Sequence, residues 1–153
     1  MKLSEILYEE NIITSLKASD KKHVLEELIE PLINTIPSLD KESLVKVLLE
    51  RERLGSTGIG DGVAIPHGKF SGINEPIISF GRSSNGLDFD SMDGQPAHLF
   101  FLLVAPENSA SIHLKALARI AKILKNSSFR KILMVAPTKE ELYKTIIQND
   151  EEF

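Results

Sequence analysis

Apolar residues recur at spacings of three and four through Val24, Leu25, Leu28, Ile29, Leu32 and Ile33, which predicts a helix opened by Asp20 as N-cap. Pro31 sits inside that pattern and is expected to kink or shorten the helix. After Pro37 and Ser38, Asp40 caps a second predicted helix with the stripe Leu44, Val47, Leu48 and Arg51, stopping at Gly55. Residues 55–62, Gly-Ser-Thr-Gly-Ile-Gly-Asp-Gly, carry four glycines and read as a loop with positive φ or close backbone approach. The short apolar run Val63-Ala64-Ile65 ends at Pro66, and Ile77 to Arg82 alternates like a strand. Gly86 to Gly94 reads as turns around a short extended piece. The nearly continuous apolar run His98 to Val104 predicts a strand buried on both faces. A third helix is expected over Ser111 to Lys125, with Leu114, Leu117, Ala118, Ala121 and Leu124 on its apolar side. Ile132 to Ala136 reads as another short strand, and Ile12-Ile13 as a first edge strand. Thr138-Lys-Glu-Glu141 is a capping box that opens a last helix running to about Ile147. Helices thus alternate with strands, which predicts an α/β fold with helices on both faces of one sheet and residues 1–153 forming a single domain.

Composition narrows the classes. Apolar content of 42% with a net charge of −4 excludes a disordered chain and argues against a dedicated nucleic-acid binder, which needs a basic face. The absence of cysteine removes disulfides, thiolate metal sites and cysteine nucleophiles. Apolar runs such as Leu99 to Ala105 are far shorter than a membrane span, and Lys2, Glu5, Glu9 and Glu10 interrupt any signal-peptide core, so a cytoplasmic protein is expected.

Arg51 to Lys69 is the most informative stretch. It holds no Walker loop, since Val63 stands where the first glycine is needed and Phe70 follows Gly68-Lys69. Its glycines follow a helix at the wrong spacing for a dinucleotide fingerprint. What remains is a histidine held by backbone devices. Pro66 fixes its own φ and pushes Ile65 to extended geometry, so His67 should project at a defined angle from a strand end. Gly68 leaves no side chain in the way of an approaching partner. A neutral imidazole offers one lone pair, able to attack a phosphoryl group or bind a metal; a buried, hydrogen-bonded structural histidine is the bland alternative. A phosphorylated ring needs cationic and N–H donors around it. Arg51 at the end of the second helix can reach over the glycine loop, although solvated Arg near a helix C-terminus is common. Ser56 and Thr57 offer hydroxyl and N–H groups as phosphate ligands, or plain turn chemistry. His113 falls in the first turn of the third helix and aligns with Leu117, Ile120 and Leu124. It is either a satisfied core residue or the partner of His67. Asp61, Asp88, Asp90 and Asp93 read as turn formers, and His23 and His98 have no comparable setting.

The run from Ser56 to Lys69, Ser-Thr-Gly-Ile-Gly-Asp-Gly-Val-Ala-Ile-Pro-His-Gly-Lys, resembles the active-site signature of enzyme IIA of the bacterial phosphoenolpyruvate-dependent phosphotransferase system, fructose/mannitol and nitrogen-regulatory class. The segment His113 to Lys122 resembles that family's second histidine segment, and Lys139 to Tyr143 also fits. The resemblance implies a mixed, mainly parallel sheet sandwiched between helices. It implies that His67 takes a phosphoryl group, as tele-phosphohistidine, from an HPr-like carrier or its nitrogen-branch counterpart, with no cofactor or metal. It further implies that Arg51 and His113 flank the phosphoryl group and that Ser56, Thr57 and Gly68 lie close to it. If His67 does carry phosphate between proteins, the glycine loop with apolar Ile59 and Phe70 is expected to form a shallow docking surface. Gly55 before Ser56, and no fused transporter domain, look more like the nitrogen-regulatory branch, whose targets would be sensor kinases or potassium transporters. The alternative is a sugar-branch component serving a transporter's cytoplasmic domain. A metal site from His67, His113 and a carboxylate is a third, weaker reading, because two histidines without a tight local motif make a poor ligand set.

Overall fold

The computed structural model describes residues 2–151. After a 3-10 turn at Leu3–Glu5, the chain runs β1 (Leu7–Ile13), α1 (Lys21–Thr35), α2 (Lys41–Arg53), β2 (Gly58–Gly60), β3 (Val63–Ala64), β4 (His67–Phe70), β5 (Ile77–Leu87), β6 (Ala97–Pro106), α3 (Ala110–Ile123), α4 (Ser127–Val135) and α5 (Lys139–Glu151). The sheet has the order β1-β5-β6-β3-β2, and β4 also pairs with β6. β3 and β4 lie end to end along one edge of β6, Val63 opposite Leu99 and His67 opposite Leu103. The β1–β5, β3–β6 and β4–β6 pairings are parallel, while β5–β6 and β2–β3 are antiparallel. The sheet is therefore mixed, with parallel pairings in the majority and its longest ladder antiparallel.

β6 divides the interior. Leu99, Phe101 and Leu103 face a core shared with α3, α4 and α5, and Phe100, Leu102 and Val104 face one shared with α1 and α2. Both faces of this strand are sealed, which accounts for its unbroken apolar run. The Asp20 carboxylate accepts the His23 backbone N–H at the start of α1. Pro31 does not end α1, which continues to Thr35. The Thr138 hydroxyl accepts the Glu141 N–H, as its capping box requires.

Three expectations are corrected. Ile132 to Ala136 is not a strand but the end of α4. Asn126 caps that helix by accepting the Phe129 N–H at 3.2 Å, and Phe129 and Leu133, four apart, are its buried contacts. Val135, at 77% exposure, stays in solvent, so a continuous apolar run here belongs to a helix with one buried edge. In α3 the buried side carries His113, Ala116, Ile120 and Ile123, while Leu114 of the expected stripe is exposed. The glycine stretch is only partly loop, since Gly58–Gly60 and Val63–Ala64 form a hairpin around Asp61 and Gly62. Both turn residues have positive φ, 57° and 77°, the requirement of a tight two-residue hairpin turn.

Candidate active site

Ile65 and Pro66 occupy the gap between β3 and β4. Proline has no N–H to give, but its carbonyl accepts the Leu103 N–H at 2.9 Å, and the Ile65 N–H donates to the Thr57 carbonyl at 3.0 Å. The interruption is therefore pinned on both sides, and His67 follows as the first residue of β4 rather than at the end of a strand. Strand alternation then assigns faces. Gly68 lies against α2, where a Cβ would come within 3.0 Å of Val47 Cγ1 and 3.4 Å of Leu48 Cδ2. This glycine admits the second helix; it does not clear a path for a partner. His67 and Lys69 take the opposite face, toward the first turn of α3.

There the His113 ring lies 5.3 Å from the His67 ring, centroid to centroid, at an interplanar angle of 56°. The half-buried His67 ring hydrogen-bonds through Nδ1 to the Ile65 carbonyl at 2.7 Å. A carbonyl only accepts, so Nδ1 carries the proton and Nε2 keeps its lone pair. Burial lowers the His67 pKa; the Ile65 hydrogen bond opposes that, Arg51 adds to it, and Glu52 opposes it more weakly. His113 is buried, and its Nδ1 has no hydrogen-bond partner. Burial first, then the fields of His67 and Lys69, push its pKa down to about 4. Two neutral imidazoles thus stand side by side at pH 7.

Arg51, in the last turn of α2, donates Nη1 to the Gly55 carbonyl at 2.8 Å and is close enough to act on His67 through its field. The two rings come together, with Arg51 acting on His67 and Lys69 on His113 through their fields. The hydroxyls of Ser56 and Thr57 do not join them. Ser56 Oγ donates to the Phe89 carbonyl at 2.7 Å and accepts the Gly58 N–H at 3.0 Å. Thr57 is buried, and its N–H and Oγ1–H both donate to the Glu52 carboxylate. Both residues build the loop, and their hydroxyl protons are already committed.

Glu52 and Lys69 were not singled out by sequence. Lys69 is two residues after His67, hence on the same face of β4. Glu52 follows Val45 and Leu48 at helical spacing, a carboxylate placed on an apolar stripe, and is buried. The four loop aspartates do act as turn formers: Asp61 and Asp90 adopt positive φ, Asp88 accepts the Asp90 N–H, and Asp93 accepts those of Asp61 and Gln95. Among the described residues, no group of three or more His, Cys, Asp or Glu side chains is placed to share a metal ion.

The family described as phosphoenolpyruvate-dependent sugar phosphotransferase system, EIIA 2, matches residues 5–149. The chain belongs to that family. A nitrogen regulatory protein of Bradyrhizobium diazoefficiens is 39% identical over 146 residues, 95% of each chain. The fructose-specific EIIABC component of the Bacillus subtilis phosphotransferase system is 37% identical over 150 residues, 98% of this chain but 24% of that longer protein. This chain therefore spans about a quarter of that relative's length. The crystal structure of the nitrogen regulatory protein IIA-Ntr from Neisseria meningitidis superposes with a TM-score of 0.87 at 35% identity, covering 94% of this chain and 98% of that one. EIIA 2 membership supports a phosphocarrier role in phosphoryl transfer. No helix among the described residues is long and apolar enough to cross a membrane.

Proposed function

We propose that residues 1–153 work as one EIIA-type domain in the cytoplasm, and that Nε2 of His67 accepts a phosphoryl group from a phosphohistidine carrier protein. The observation that carries this reading is the Nδ1–H bond to Ile65, which leaves the Nε2 lone pair on a half-buried neutral ring beside His113. In the transfer, that lone pair attacks phosphorus in line while the carrier's N–P bond breaks and its electron pair returns to the carrier's imidazole. Each ring keeps the proton on its other nitrogen, so no proton is exchanged. The chain has little bond chemistry to perform beyond positioning and charge stabilisation. Arg51, which uses one N–H on Gly55, would direct others to the phosphoryl oxygens. The neutral His113 would donate a further hydrogen bond, and exposed Ile59 together with Phe70 would belong to the docking surface.

The phosphorylated or unphosphorylated form would then bind regulatory targets, sensor kinases or potassium transporters, in nitrogen and potassium control. The similarity over nearly the full length of both chains to a nitrogen regulatory protein favours this branch. The similarity to a fructose-specific component supports the second reading, a sugar-branch IIA that passes the group to a transporter's cytoplasmic domain. The test is incubation with phosphoenolpyruvate, enzyme I and each candidate carrier, followed by mapping of the modified residue under alkaline conditions. Stoichiometric label in His67→Ala contradicts the assignment. Pull-downs with wild type, His67→Ala and His67→Glu test the regulatory role: capture insensitive to both substitutions contradicts a phosphorylation switch.

A further inference from the structure

The ring of His67 is oriented by a carbonyl two residues away, and that carbonyl needs its own support, because it lies in the gap where β3 has ended and β4 has not begun. The support runs back to α2. Glu52, 7% exposed, receives the Thr57 backbone N–H at 3.2 Å and the Thr57 hydroxyl. The Thr57 carbonyl receives the Ile65 N–H at 3.0 Å. The Ile65 carbonyl receives His67 Nδ1–H at 2.7 Å. Lys21 Nζ, 3.2 Å from Glu52 Oε1, holds the carboxylate from the α1 side.

We propose that Glu52 is a positioning residue of the acceptor site, which through Thr57 and Ile65 fixes the carbonyl that selects the Nδ1–H tautomer of His67. The proposal rests on the reading of His67 as the acceptor only for its consequence; the tautomer is a property of the unphosphorylated protein. N–H and C=O of one residue belong to different peptide units, so the connection is mechanical. Each hydrogen bond fixes where the next residue's backbone lies. If the Ile65 carbonyl swings away, Nδ1 loses its acceptor, the two tautomers approach equal energy, and part of the population presents an N–H where the attacking lone pair is needed. Glu52→Gln sets an NH2 donor against the donors of Thr57 and Lys21. Thr57→Val keeps the shape and removes the hydroxyl donor.

The experiment is 15N NMR of the His67 ring in unphosphorylated wild type, Glu52→Gln, Thr57→Val and Thr57→Ser, with the rate of phosphoryl acceptance measured on the same samples. Wild type should show one tautomer, with Nε2 as the unprotonated nitrogen. Glu52→Gln and Thr57→Val should shift toward a mixture and accept phosphate roughly tenfold more slowly, at little change in KM for the carrier. Thr57→Ser, which keeps the hydroxyl, should restore the single tautomer. Either folded variant suffices, should the other not fold. Lowered stability with an unchanged tautomer in a folded variant would make Glu52 a purely structural residue and overturn the proposal. Absence of label on wild-type His67 would instead overturn the acceptor reading, while the NMR result still decides the relay.

Discussion

His113 is held neutral by its surroundings. Its pKa of about 4 lies below that of an unfolded histidine, so as pH falls from about 6.5 the unfolded chain takes up a proton that the folded one refuses. Folding stability is complete above that range and declines until the folded pKa is reached. The loss attributable to this ring is at most about 3–4 kcal/mol, since each unit of pKa difference corresponds to about 1.4 kcal/mol. Denaturant titrations from pH 7 to 4.5 should show a shallower decline in His113→Gln than in wild type; identical slopes would contradict the burial argument. Arg51 acts in the same direction on His67. Arg51→Gln should therefore raise the His67 pKa in an NMR titration and slow phosphoryl acceptance with the fold intact, and an unmoved titration would remove its electrostatic role. At this scale the sequence was legible where local chemistry decides. Pro66-His67 set the ring's presentation, and the placement of Arg51 at the helix end put it within reach. The acceptors of the Ser56 and Thr57 hydroxyls, the Phe89 carbonyl and Glu52, were not legible, because tertiary contact chooses them.

Among elements, α2 and β4 matter most, since their contact relates Arg51 to His67. Gly68 is the point of closest approach. Gly68→Ala would place a methyl group 3.0 Å from Val47 Cγ1, tighter than van der Waals contact, and should destabilise the fold by about 1–2 kcal/mol. The thermal midpoint would report it; an unchanged midpoint would mean that α2 is not tightly seated there. Helical periods located α1, α2 and α3, a capping box α5, and an unbroken apolar run the doubly buried β6. They failed at α4, where five consecutive apolar residues carry no period and only the Asn126 cap distinguishes helix from strand. On α3 Leu114 was misassigned: Leu117, Ala121 and Leu124 of the expected stripe do pack on the core, beside His113 and Ile120, while Leu114 is exposed.

Over the whole molecule, the site lies where the two cores meet along β4: α2 on one face, the start of α3 on the other. The chain ends are tied remotely. Buried Asp150 accepts the Leu3 N–H at 2.8 Å and the Arg119 guanidinium, joining the N-terminal turn, α3 and α5. Asp150→Ala leaves Arg119 and the Leu3 N–H without that acceptor and should cost about 2–4 kcal/mol in denaturant unfolding. Phosphoryl acceptance by the folded variant should nonetheless stay near wild type, and a matching loss of transfer would show the two regions to be coupled. The alternation of helices and strands made the layered architecture readable, whereas strand order and this remote tie depend on contacts across most of the chain. The most direct test of the account is 15N and 31P NMR of the protein phosphorylated by its carrier. It predicts one phosphoryl group, bonded to Nε2 of His67 and absent from His67→Ala. Phosphorus on Nδ1, or on any other residue, contradicts it.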